Sequence, residues 1–568
     1  MSNQSPPILT AVARHAALIG VLVTAAALRL PGLGDWWLNP DEGIYYSILT
    51  RADFSDFARE VAENAHPPLY YLLLRGIRIL TWDFVWLRGF SVVCGVVAVA
   101  GAWAVSKRLS GGGARGTVAA LFAGLLVAFS PGAVEMSRVM RPYMLLLALL
   151  SWALYFLLKE LDSSPAGPAD PESGQAGETT GLGTVACALL LCLAILTHYS
   201  SLFALGVFGA LLLHDGLVHG FERLVWRRLA GALAVPVALL GVLWVTHLRI
   251  VSGSGLATEA LEGWLRGYMI DGPDGVWRSL LGYQRLAAPI WFRGPAAVAL
   301  VLALAYAALR REWRPLIAGA SAVAIAAGAA ALHVYPFGAT RHSIWLITFT
   351  APLVGWLCAA LLDTKPGVRV LPGVLFLGLM TGMGGPLGAL LGVRHTPWAP
   401  DDLILRRSGL ATVLPLLSRN APPELVVVPE QTFYLLLPLW AQEREAATFS
   451  ADGSAFHFRW GDRRVLVSRY WDFSARPGAA SGEALIADGR FAADIGRFLE
   501  SSDRAFPELG ISGRAEGLIV VGGWVTGFVD ELKNLHEVRP LIRSGREVPG
   551  LQAFVVDLDA LASAVERP

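Results

Sequence analysis

Residues 87–106 read LRGFSVVCGVVAVAGAWAVS, with Arg88 as the only charged side chain. An apolar run of about 20 residues is long enough to cross the hydrocarbon core of a bilayer as an α-helix. The whole chain is 54% hydrophobic and 16% charged, whereas soluble domains are about one-quarter charged. The sequence therefore predicts a polytopic α-helical membrane protein of about eleven spans, the other candidates being 9–30, 116–134, 143–159, 182–197, 200–218, 230–248, 294–310, 315–333, 343–362 and 370–392.

The first apolar run, Ala16–Leu28, follows Arg14 and His15 and ends in small residues, as a secretory signal peptide does. The later segments need this run to set their orientation. We therefore expect it to be the first transmembrane helix, with a cleaved signal peptide as the alternative.

Basic residues in the short loops predict the orientation of the spans. Lys107, Arg108 and Arg115 lie between the second and third spans, and similar groups precede the seventh, ninth and eleventh. With eleven spans these loops share one side, which the positive-inside rule assigns to the cytoplasm. The segment 67–80 contains Arg75 and Arg78, so we expect a juxtamembrane helix on the outer surface. The C-terminus is then outside the cytoplasm.

The composition changes at about residue 400. Short β-branched runs predict strands at Leu425–Val428, Arg464–Ser468, Gly517–Val521 and Phe554–Leu558. Helical patterns near 402–419, 431–445 and 486–500 lie between them. We expect a transmembrane catalytic domain over 1–395, whose first outside loop is 31–86, and a periplasmic α/β domain over 396–568.

Two classes of protein are disfavoured by composition. The formal net charge is +1, which gives no bias toward nucleic acid, so we expect no nucleic-acid partner. The four cysteines all lie in apolar runs, so no disulfide framework is predicted.

The outside loops carry the polar motifs, and the first is Trp36-Trp37-Leu38-Asn39-Pro40-Asp41-Glu42-Gly43. Adjacent carboxylates near a bilayer are expensive to desolvate, and such residues are usually functional. The alternative is an ordinary helix start, because Asn-Pro-Asp-Glu is a favourable helix N-terminus.

A second motif is His66-Pro67-Pro68-Leu69-Tyr70-Tyr71, in which two prolines fix the backbone before an apolar helix. This pattern puts His66 at the helix entrance. The alternative is a capped surface helix with an incidental histidine.

A third motif is Glu135-Met136-Ser137-Arg138-Val139-Met140-Arg141-Pro142-Tyr143. Two arginines three residues apart share a face if the segment is helical, and guanidinium groups match phosphate oxygens. The alternative is snorkelling of both side chains to the membrane interface.

Two further motifs contain histidine. The sequence Thr197-His198-Tyr199-Ser200 occupies a tight outside turn, where His198 suits a metal or a phosphate, although a lone histidine is often only structural. The sequence Tyr335-Pro336-Phe337-Gly338-Ala339-Thr340-Arg341-His342 enters the tenth span, and its last two residues suit an anionic group.

Carboxylates, arginines and histidines are thus expected on one face of the membrane. That combination suits attack by an acceptor on a sugar whose leaving group is a lipid phosphate. A carboxylate accepts the acceptor's proton, and the arginines stabilise charge on the departing phosphate.

The order of these motifs resembles the GT-C glycosyltransferases, especially the bacterial relatives of protein O-mannosyltransferases and of the lipid A aminoarabinose transferase. The resemblance covers about residues 1–360 and is most specific in the first 150. It implies a GT-C membrane fold, a polyprenyl-phosphate sugar donor and inversion at the anomeric carbon. It also implies a multi-pass protein of the bacterial cytoplasmic (inner) membrane whose active site faces away from the cytoplasm.

The resemblance also implies roles for individual residues. Asp41 corresponds to the catalytic carboxylate, and Glu42 to a neighbour that orients the acceptor or binds a divalent metal ion, for which His198 is a second candidate ligand. The donor phosphate is expected against Arg88, Arg138, Arg141, Arg341 and His342. Acceptor-binding or orienting roles are expected for His66, Tyr70, His198 and Tyr199.

The acceptor stays open among a lipid, a protein and a polysaccharide, because the resemblance thins in the C-terminal domain. Two other functions remain as alternatives. A flippase or transporter of a lipid-linked saccharide needs polar residues through the bilayer. A non-catalytic membrane scaffold would use the C-terminal domain to bind a partner.

Overall fold

The computed structural model describes residues 7–35, 37–51, 53–163, 181–221, 224–253, 265–287, 295–364, 424–440, 444–469, 491–522, 538–540 and 551–558. Contacts divide the chain into two compact units. The membrane unit comprises Met1–Leu33, Asp53–Leu80 and Trp86–Arg394. The sheet unit comprises Gly34–Ala52, Thr81–Val85 and His395–Pro568. Two pieces of the predicted first outside loop therefore group with the C-terminal sheet.

Most of the described chain before residue 365 is helical. The helices are α1 (Pro7–Arg29), α2 (Pro40–Leu49), α3 (Phe54–Glu63), α4 (Leu69–Arg78), α5 (Phe84–Leu109), α6 (Gly113–Phe129), α7 (Pro131–Ser137), α8 (Tyr143–Ser163), α9 (Leu182–Ile195), α10 (Ser201–His219), α11 (Leu224–Leu243), α12 (Arg249–Gly253), α13 (Pro273–Ala287), α14 (Pro295–Arg310), α15 (Trp313–Ala331) and α16 (Ile347–Leu362). A π-helical turn, Trp244–Leu248, joins α11 to α12, and the 3-10 turns Arg266–Tyr268 and Arg341–Leu346 precede α13 and α16.

Six helical stretches among the described residues are long and apolar enough to cross a membrane, namely Phe84–Leu109, Tyr143–Asp162, Ser201–His219, Val225–Val251, Trp313–Ala331 and Arg341–Leu362. The pair α6 and α7, bent by 59°, is a candidate seventh span. Helices also occupy the predicted spans 9–30, 182–197 and 294–310, with shorter apolar stretches. The prediction of a helical multi-span membrane protein is confirmed, whereas the predicted span 370–392 lies outside the described residues.

The segment predicted to be juxtamembrane forms the ten-residue helix α4. At about 1.5 Å per residue, such a helix covers roughly half of a hydrocarbon core of about 30 Å. Tyr70, Tyr71 and Leu74 are buried on one face of α4, while Leu72 and Leu73 are exposed on another.

The sheet unit contains a mixed seven-stranded sheet in the order β2-β3-β4-β1-β5-β7-β6. The strands are β1 (Leu425–Pro429), β2 (Thr448–Phe449), β3 (Ala455–Trp460), β4 (Arg463–Ser468), β5 (Glu516–Gly522), β6 (Val538–Pro540) and β7 (Leu551–Asp557). Strand β1 pairs in parallel with β4 and β5, and the other pairs are antiparallel. Parallel strands need long crossovers, and the helices α17 (Glu430–Trp440) and α18 (Phe491–Ala505) lie within those connections.

All four predicted strands are present as β1, β4, β5 and β7, and the predicted helices near 431–445 and 486–500 correspond to α17 and α18. The core of the sheet unit is apolar, because β1 is buried along its whole length. The predicted helix near 402–419 lies outside the described residues.

Candidate active site

Four aromatic rings from separate segments of the membrane unit form a cluster, which we call the ring cluster: His66, Tyr143, His198 and His342. The ring centroids of His66 and His198 are 4.9 Å apart, and those of Tyr143 and His198 are 5.1 Å apart. The ring of His342 lies 6.2 Å from that of Tyr143 and 6.4 Å from that of His198. The His-Pro-Pro, Arg-x-x-Arg-Pro-Tyr, Thr-His-Tyr-Ser and Arg-His motifs therefore converge in space.

Local backbone chemistry brings these segments together. The first amide of α4, at Leu69, donates to the carbonyl oxygen of Leu196 at 2.9 Å. Pro67 and Pro68 have no N–H to satisfy at this helix entrance. The hydrogen bond ties the His-Pro-Pro segment to the end of α9, immediately before the turn that contains His198.

The tautomer of His198 is determined by the turn. The Ser200 backbone N–H donates to His198 Nδ1 at 3.1 Å, so Nδ1 accepts and the proton of the neutral ring lies on Nε2. Burial, followed by the nearby charges of Arg141 and Arg341, lowers the pKa of His198 to about 3. Burial also holds the pKa of His66 well below its usual value. Both rings are therefore neutral near pH 7 and retain N–H donors.

Permanent positive charge surrounds these neutral rings. Arg141 is buried, and its Cζ lies 5.7 Å from the ring centroid of Tyr143. Arg341 acts electrostatically on His66 and His198, and Glu135 is coupled to Arg341 and Arg138. The guanidinium groups of Arg138, Arg141 and Arg341 therefore bring positive charge to this part of the membrane unit. An environment of this kind favours an anionic ligand with phosphate-like geometry.

Two other predicted phosphate ligands have partners near the end of α1. Arg88, which is 2% exposed, donates from Nη1 to the carbonyl oxygen of Leu33 at 3.0 Å. Arg138 donates from Nη2 to the carbonyl oxygen of Pro31 at 2.7 Å. Both arginines thus secure the chain that leaves the first helix.

Two predicted orienting tyrosines lie outside the ring cluster. The Tyr70 hydroxyl is 2.8 Å from Ser91 Oγ. The Tyr199 hydroxyl is hydrogen-bonded to His247 Nδ1, and His247 Nε2 lies 3.2 Å from the carbonyl oxygen of Val61. These contacts join α4 to α5 and the Thr-His-Tyr-Ser turn to the π-helical turn.

The paired carboxylates belong to the sheet unit, in the first turn of α2. Glu42 N–H donates to Asn39 Oδ1 at 2.9 Å, and Asn39 N–H donates to Glu42 Oε2 at 3.2 Å. This reciprocal arrangement is a capping box. Asp41 and Glu42 are 9% and 1% exposed. The helix start foreseen in the sequence is thus present, and Glu42 contributes to it directly.

Helix α2 packs against α17 within the sheet unit. Trp37 Nε1–H donates to the carbonyl oxygen of Leu435 at 2.6 Å. A Cβ placed on Gly43 would lie 2.9 Å from Tyr434 Cβ and 3.0 Å from its carbonyl carbon and oxygen. Arg444 Nη2 donates to Thr50 Oγ1 at 3.3 Å beside the end of α2. The helix that carries Asp41 is therefore fixed by side-chain and backbone contacts to α17 and its surroundings.

The predicted divalent metal has no assembled ligand set in the described part of the chain. Within those residues no group of three or more histidine, cysteine, aspartate or glutamate side chains is arranged to hold a metal ion. Each of the two candidate ligands is engaged by local backbone, since Glu42 Oε2 accepts the Asn39 N–H and His198 Nδ1 accepts the Ser200 N–H.

A partly open and mainly apolar pocket lies in the membrane unit, between α6, α13, α14 and α16. Its lining includes Leu126, Leu280, Leu300, Ile347 and Val354. A polar contact at its wall, between the Tyr283 hydroxyl and Thr350 Oγ1 at 2.7 Å, is satisfied internally.

Several residues of the candidate site were not assigned roles from the sequence, namely Tyr143, Tyr335 and Glu135. The Tyr335 hydroxyl lies 3.4 Å from His342 Nδ1, and their ring centroids are 5.7 Å apart. All three residues occur inside motifs recognised in the sequence, so position within the motif was the available signal.

The fold is similar to that of a solved membrane protein, ArnT from Cupriavidus metallidurans. ArnT from Cupriavidus metallidurans in the apo state is 16% identical, with 98% of this chain and 100% of that chain covered and a TM-score of 0.53. The same protein bound to undecaprenyl phosphate gives 15% identity, 99% and 100% coverage and a TM-score of 0.51. An oligosaccharyltransferase from Archaeoglobus fulgidus in complex with Zn and sulfate is 12% identical over 75% of this chain and 61% of its own, with a TM-score of 0.44.

The family model for dolichyl-phosphate-mannose-protein mannosyltransferase matches residues 65–170. That segment contains the His-Pro-Pro and Arg-x-x-Arg-Pro-Tyr motifs and Arg88. None of the curated proteins matches the chain.

The family match and the fold confirm the predicted resemblance to the GT-C glycosyltransferases. The matching family model is one of mannosyl transfer from dolichyl phosphate, and the solved relative was also crystallised with undecaprenyl phosphate. The chain is a multi-pass integral membrane protein.

Proposed function

We propose that this protein is an inverting glycosyltransferase that moves a sugar from a polyprenyl-phosphate donor to an acceptor outside the cytoplasm. The observation that carries the proposal is the convergence of the ring cluster with Arg141 and Arg341. Neutral imidazoles beside permanent cations form a site for an anion rather than for a second cation.

The donor phosphate is the anion that this site suits best. As the bond between the anomeric carbon and the phosphate oxygen breaks, negative charge grows on the phosphate. Preorganised guanidinium groups lower the energy of that charge in the transition state. His198 supports the same charge as a hydrogen-bond donor, because its remaining proton lies on Nε2.

The acceptor must lose a proton as its oxygen or nitrogen bonds to the anomeric carbon. We assign that proton to the carboxylate of Asp41. Its neighbour Glu42 already accepts the Asn39 N–H through Oε2, which supports Asp41 as the base and Glu42 as a residue that orients it. A single displacement of this kind inverts the anomeric carbon.

The lipid part of the donor requires an apolar environment. The mainly apolar pocket between α6, α13, α14 and α16 is our candidate for part of the prenyl chain. Arg88 and Arg138 contribute by fixing the backbone after α1, and Tyr70 and Tyr199 by fixing the segments that carry His66 and His198.

Our proposal for the membrane topology follows the distribution of basic residues in the loops. We propose eleven spans over residues 1–395, a bacterial inner-membrane location, and a 396–568 domain on the outer side with the active site. The acceptor is a lipid, a protein or a polysaccharide. Dependence on a divalent metal is tested by adding a chelator to the transfer assay.

The experiment is sugar release or transfer from radiolabelled polyprenyl-phosphate sugars by the purified protein. Arg141→Gln and Arg341→Gln should each reduce turnover by more than tenfold, because each removes a charge from the phosphate site. Arg59→Gln is the matched control, since the Arg59 side chain is 68% exposed and pairs with Asp56 on the surface. Equal turnover in all three variants would refute the phosphate assignment.

A further inference from the structure

The bend between α6 and α7 leaves backbone groups that the helix itself cannot satisfy. The two helices meet at 59° beside Ser130 and Pro131. In a continuous helix, the carbonyl of Val127 would accept from the amide of residue 131. Proline has no N–H, so that hydrogen bond does not form. Carbonyl oxygens at such a break need other donors, above all in a membrane protein.

Arg29, at the end of α1, supplies those donors. Its side chain is 0% exposed. Nη2 donates to the carbonyl oxygen of Val127 at 3.1 Å, and Nη1 donates to the carbonyl oxygen of Ala128 at 2.9 Å. Nη1 also donates to the carbonyl oxygen of Ala25 at 3.0 Å within its own helix. The guanidinium group of Arg29 therefore caps the C-terminal end of α6 by donating to two of its last carbonyl oxygens.

The fourth hydrogen bond of Arg29 reaches the other side of the bend. Nε donates to Ser137 Oγ at 2.9 Å, and Ser137 Oγ in turn donates to the carbonyl oxygen of Ala133. One side chain thus holds the end of α6 and the end of α7 together. Ser137 immediately precedes Arg138, and Arg141 follows three residues later.

Helix α5 closes over this hydrogen bond at Gly95. A Cβ on Gly95 would lie 2.3 Å from Ser137 Oγ and 2.9 Å from Arg29 Nε. Real Cβ atoms do not approach other heavy atoms so closely, so any larger residue must displace Ser137, Arg29 or both. Gly89 on the same helix has no heavy atom within 4 Å of its own Cβ position.

We propose that Arg29 is a positioning residue, which fixes the bend between α6 and α7 and thereby aims the segment that carries Arg138 and Arg141. The inference rests on the proposed function, because it gives that segment the task of holding a phosphate. Arg29 is too fully engaged in hydrogen bonds to bind the donor itself. Its contribution passes through the backbone from Ser137 to Arg141.

Two ligands with the same hydrocarbon chain distinguish a change in the placement of the arginine segment from a general loss of stability. Binding of undecaprenyl phosphate and of undecaprenol, which lacks the phosphate, is measured on the purified full-length protein. Gly95→Ala should reduce the preference for the phosphate by at least tenfold, whereas the matched Gly89→Ala keeps the preference of the wild type. A general loss of packing would weaken both ligands and leave their ratio unchanged.

Arg29→Lys and Arg29→Gln complete the experiment, with thermal unfolding as the check on folding. Lysine keeps the charge but lacks the planar fork, so it should retain only part of the preference, and glutamine less. If folded Gly95→Ala and Arg29→Lys proteins keep the full preference for the phosphate, the role of Arg29 is refuted and the proposed function stands. If the wild type itself does not prefer the phosphate, the proposed function fails and this inference fails with it.

Discussion

Replacement of Gly43 by alanine tests whether the contact between α2 and α17 fixes the helix that carries Asp41. The new Cβ would lie 2.9 Å from Tyr434 Cβ and 3.0 Å from the Tyr434 carbonyl carbon and oxygen. Two of these neighbours are backbone atoms, which no change of rotamer can move. Helix α2 must therefore shift against α17.

The magnitude follows from two opposing effects. Overpacking of a tight contact costs about 1–3 kcal/mol, whereas alanine in place of glycine within a helix gains about 0.5–1 kcal/mol. We expect a net loss of about 1 kcal/mol, which lowers the melting temperature of a domain of this size by about 2–4 °C. Because a displacement of about 1 Å in a catalytic group can cost about 100-fold in rate, turnover should fall more clearly than stability.

The assay combines thermal unfolding of the purified protein with turnover of a polyprenyl-phosphate sugar. Gly76→Ala on α4 is the control, since its Cβ position has nothing within 4 Å and only the gain in helix stability is expected. If Gly43→Ala melts no lower than the wild type and turns over equally fast, as Gly76→Ala should, the contact does not position α2.

Two further predictions concern His198 and Trp37. The folded-state pKa of His198 is about 3, so below pH 6.5 the unfolded chain binds a proton that the folded chain does not. Stability should therefore fall as pH drops from 6.5 toward 5, with a slope that approaches about 1.4 kcal/mol per pH unit. Melting curves should show a smaller fall in His198→Asn, and an equal fall would contradict the assignment. Trp37→Phe removes the N–H that donates to the carbonyl oxygen of Leu435, while an aromatic ring remains beside Phe84. The turnover number should therefore fall several-fold, and the KM for the sugar donor should not change. A change in KM alone would count against a role of Trp37 in holding α2.

The polar motifs were readable from the sequence because their chemistry is local. Proline pairs, arginines three residues apart and a tight His-containing turn each predict their own geometry. Charge in an otherwise apolar chain also marks function. The convergence of His66, His198 and His342, in contrast, depends on how the segments that carry them pack within the membrane unit.

The attachment of α2 to the sheet unit could not be predicted in the same way. The hydrogen bond between Trp37 and Leu435 joins residues 398 positions apart, and no periodic pattern connects them. Strands β2, β3 and β6 were also missed. Two of these have only two and three residues, and the third, β3, buries four consecutive residues from Ala455 to Phe458, among them the polar His457.

Arg29 illustrates a second limit. At the end of an apolar run, an arginine is ordinarily expected to extend toward the membrane interface. Only the packing of α1 beside the bend at Pro131 turns the side chain inward, where carbonyl oxygens accept its protons. The sequence contains the proline and the arginine, but not their proximity.

The central claim is that this protein breaks the bond between a sugar and a polyprenyl phosphate, with Asp41 as the base. The most direct measurement is release or transfer of the sugar from radiolabelled polyprenyl-phosphate donors by the wild type and by Asp41→Asn, together with donor binding. We predict turnover by the wild type, loss of turnover in Asp41→Asn, and equal donor binding in both proteins. No turnover of any donor by the wild type, with donor binding unchanged by the substitution, would contradict the account and favour a flippase or a scaffold.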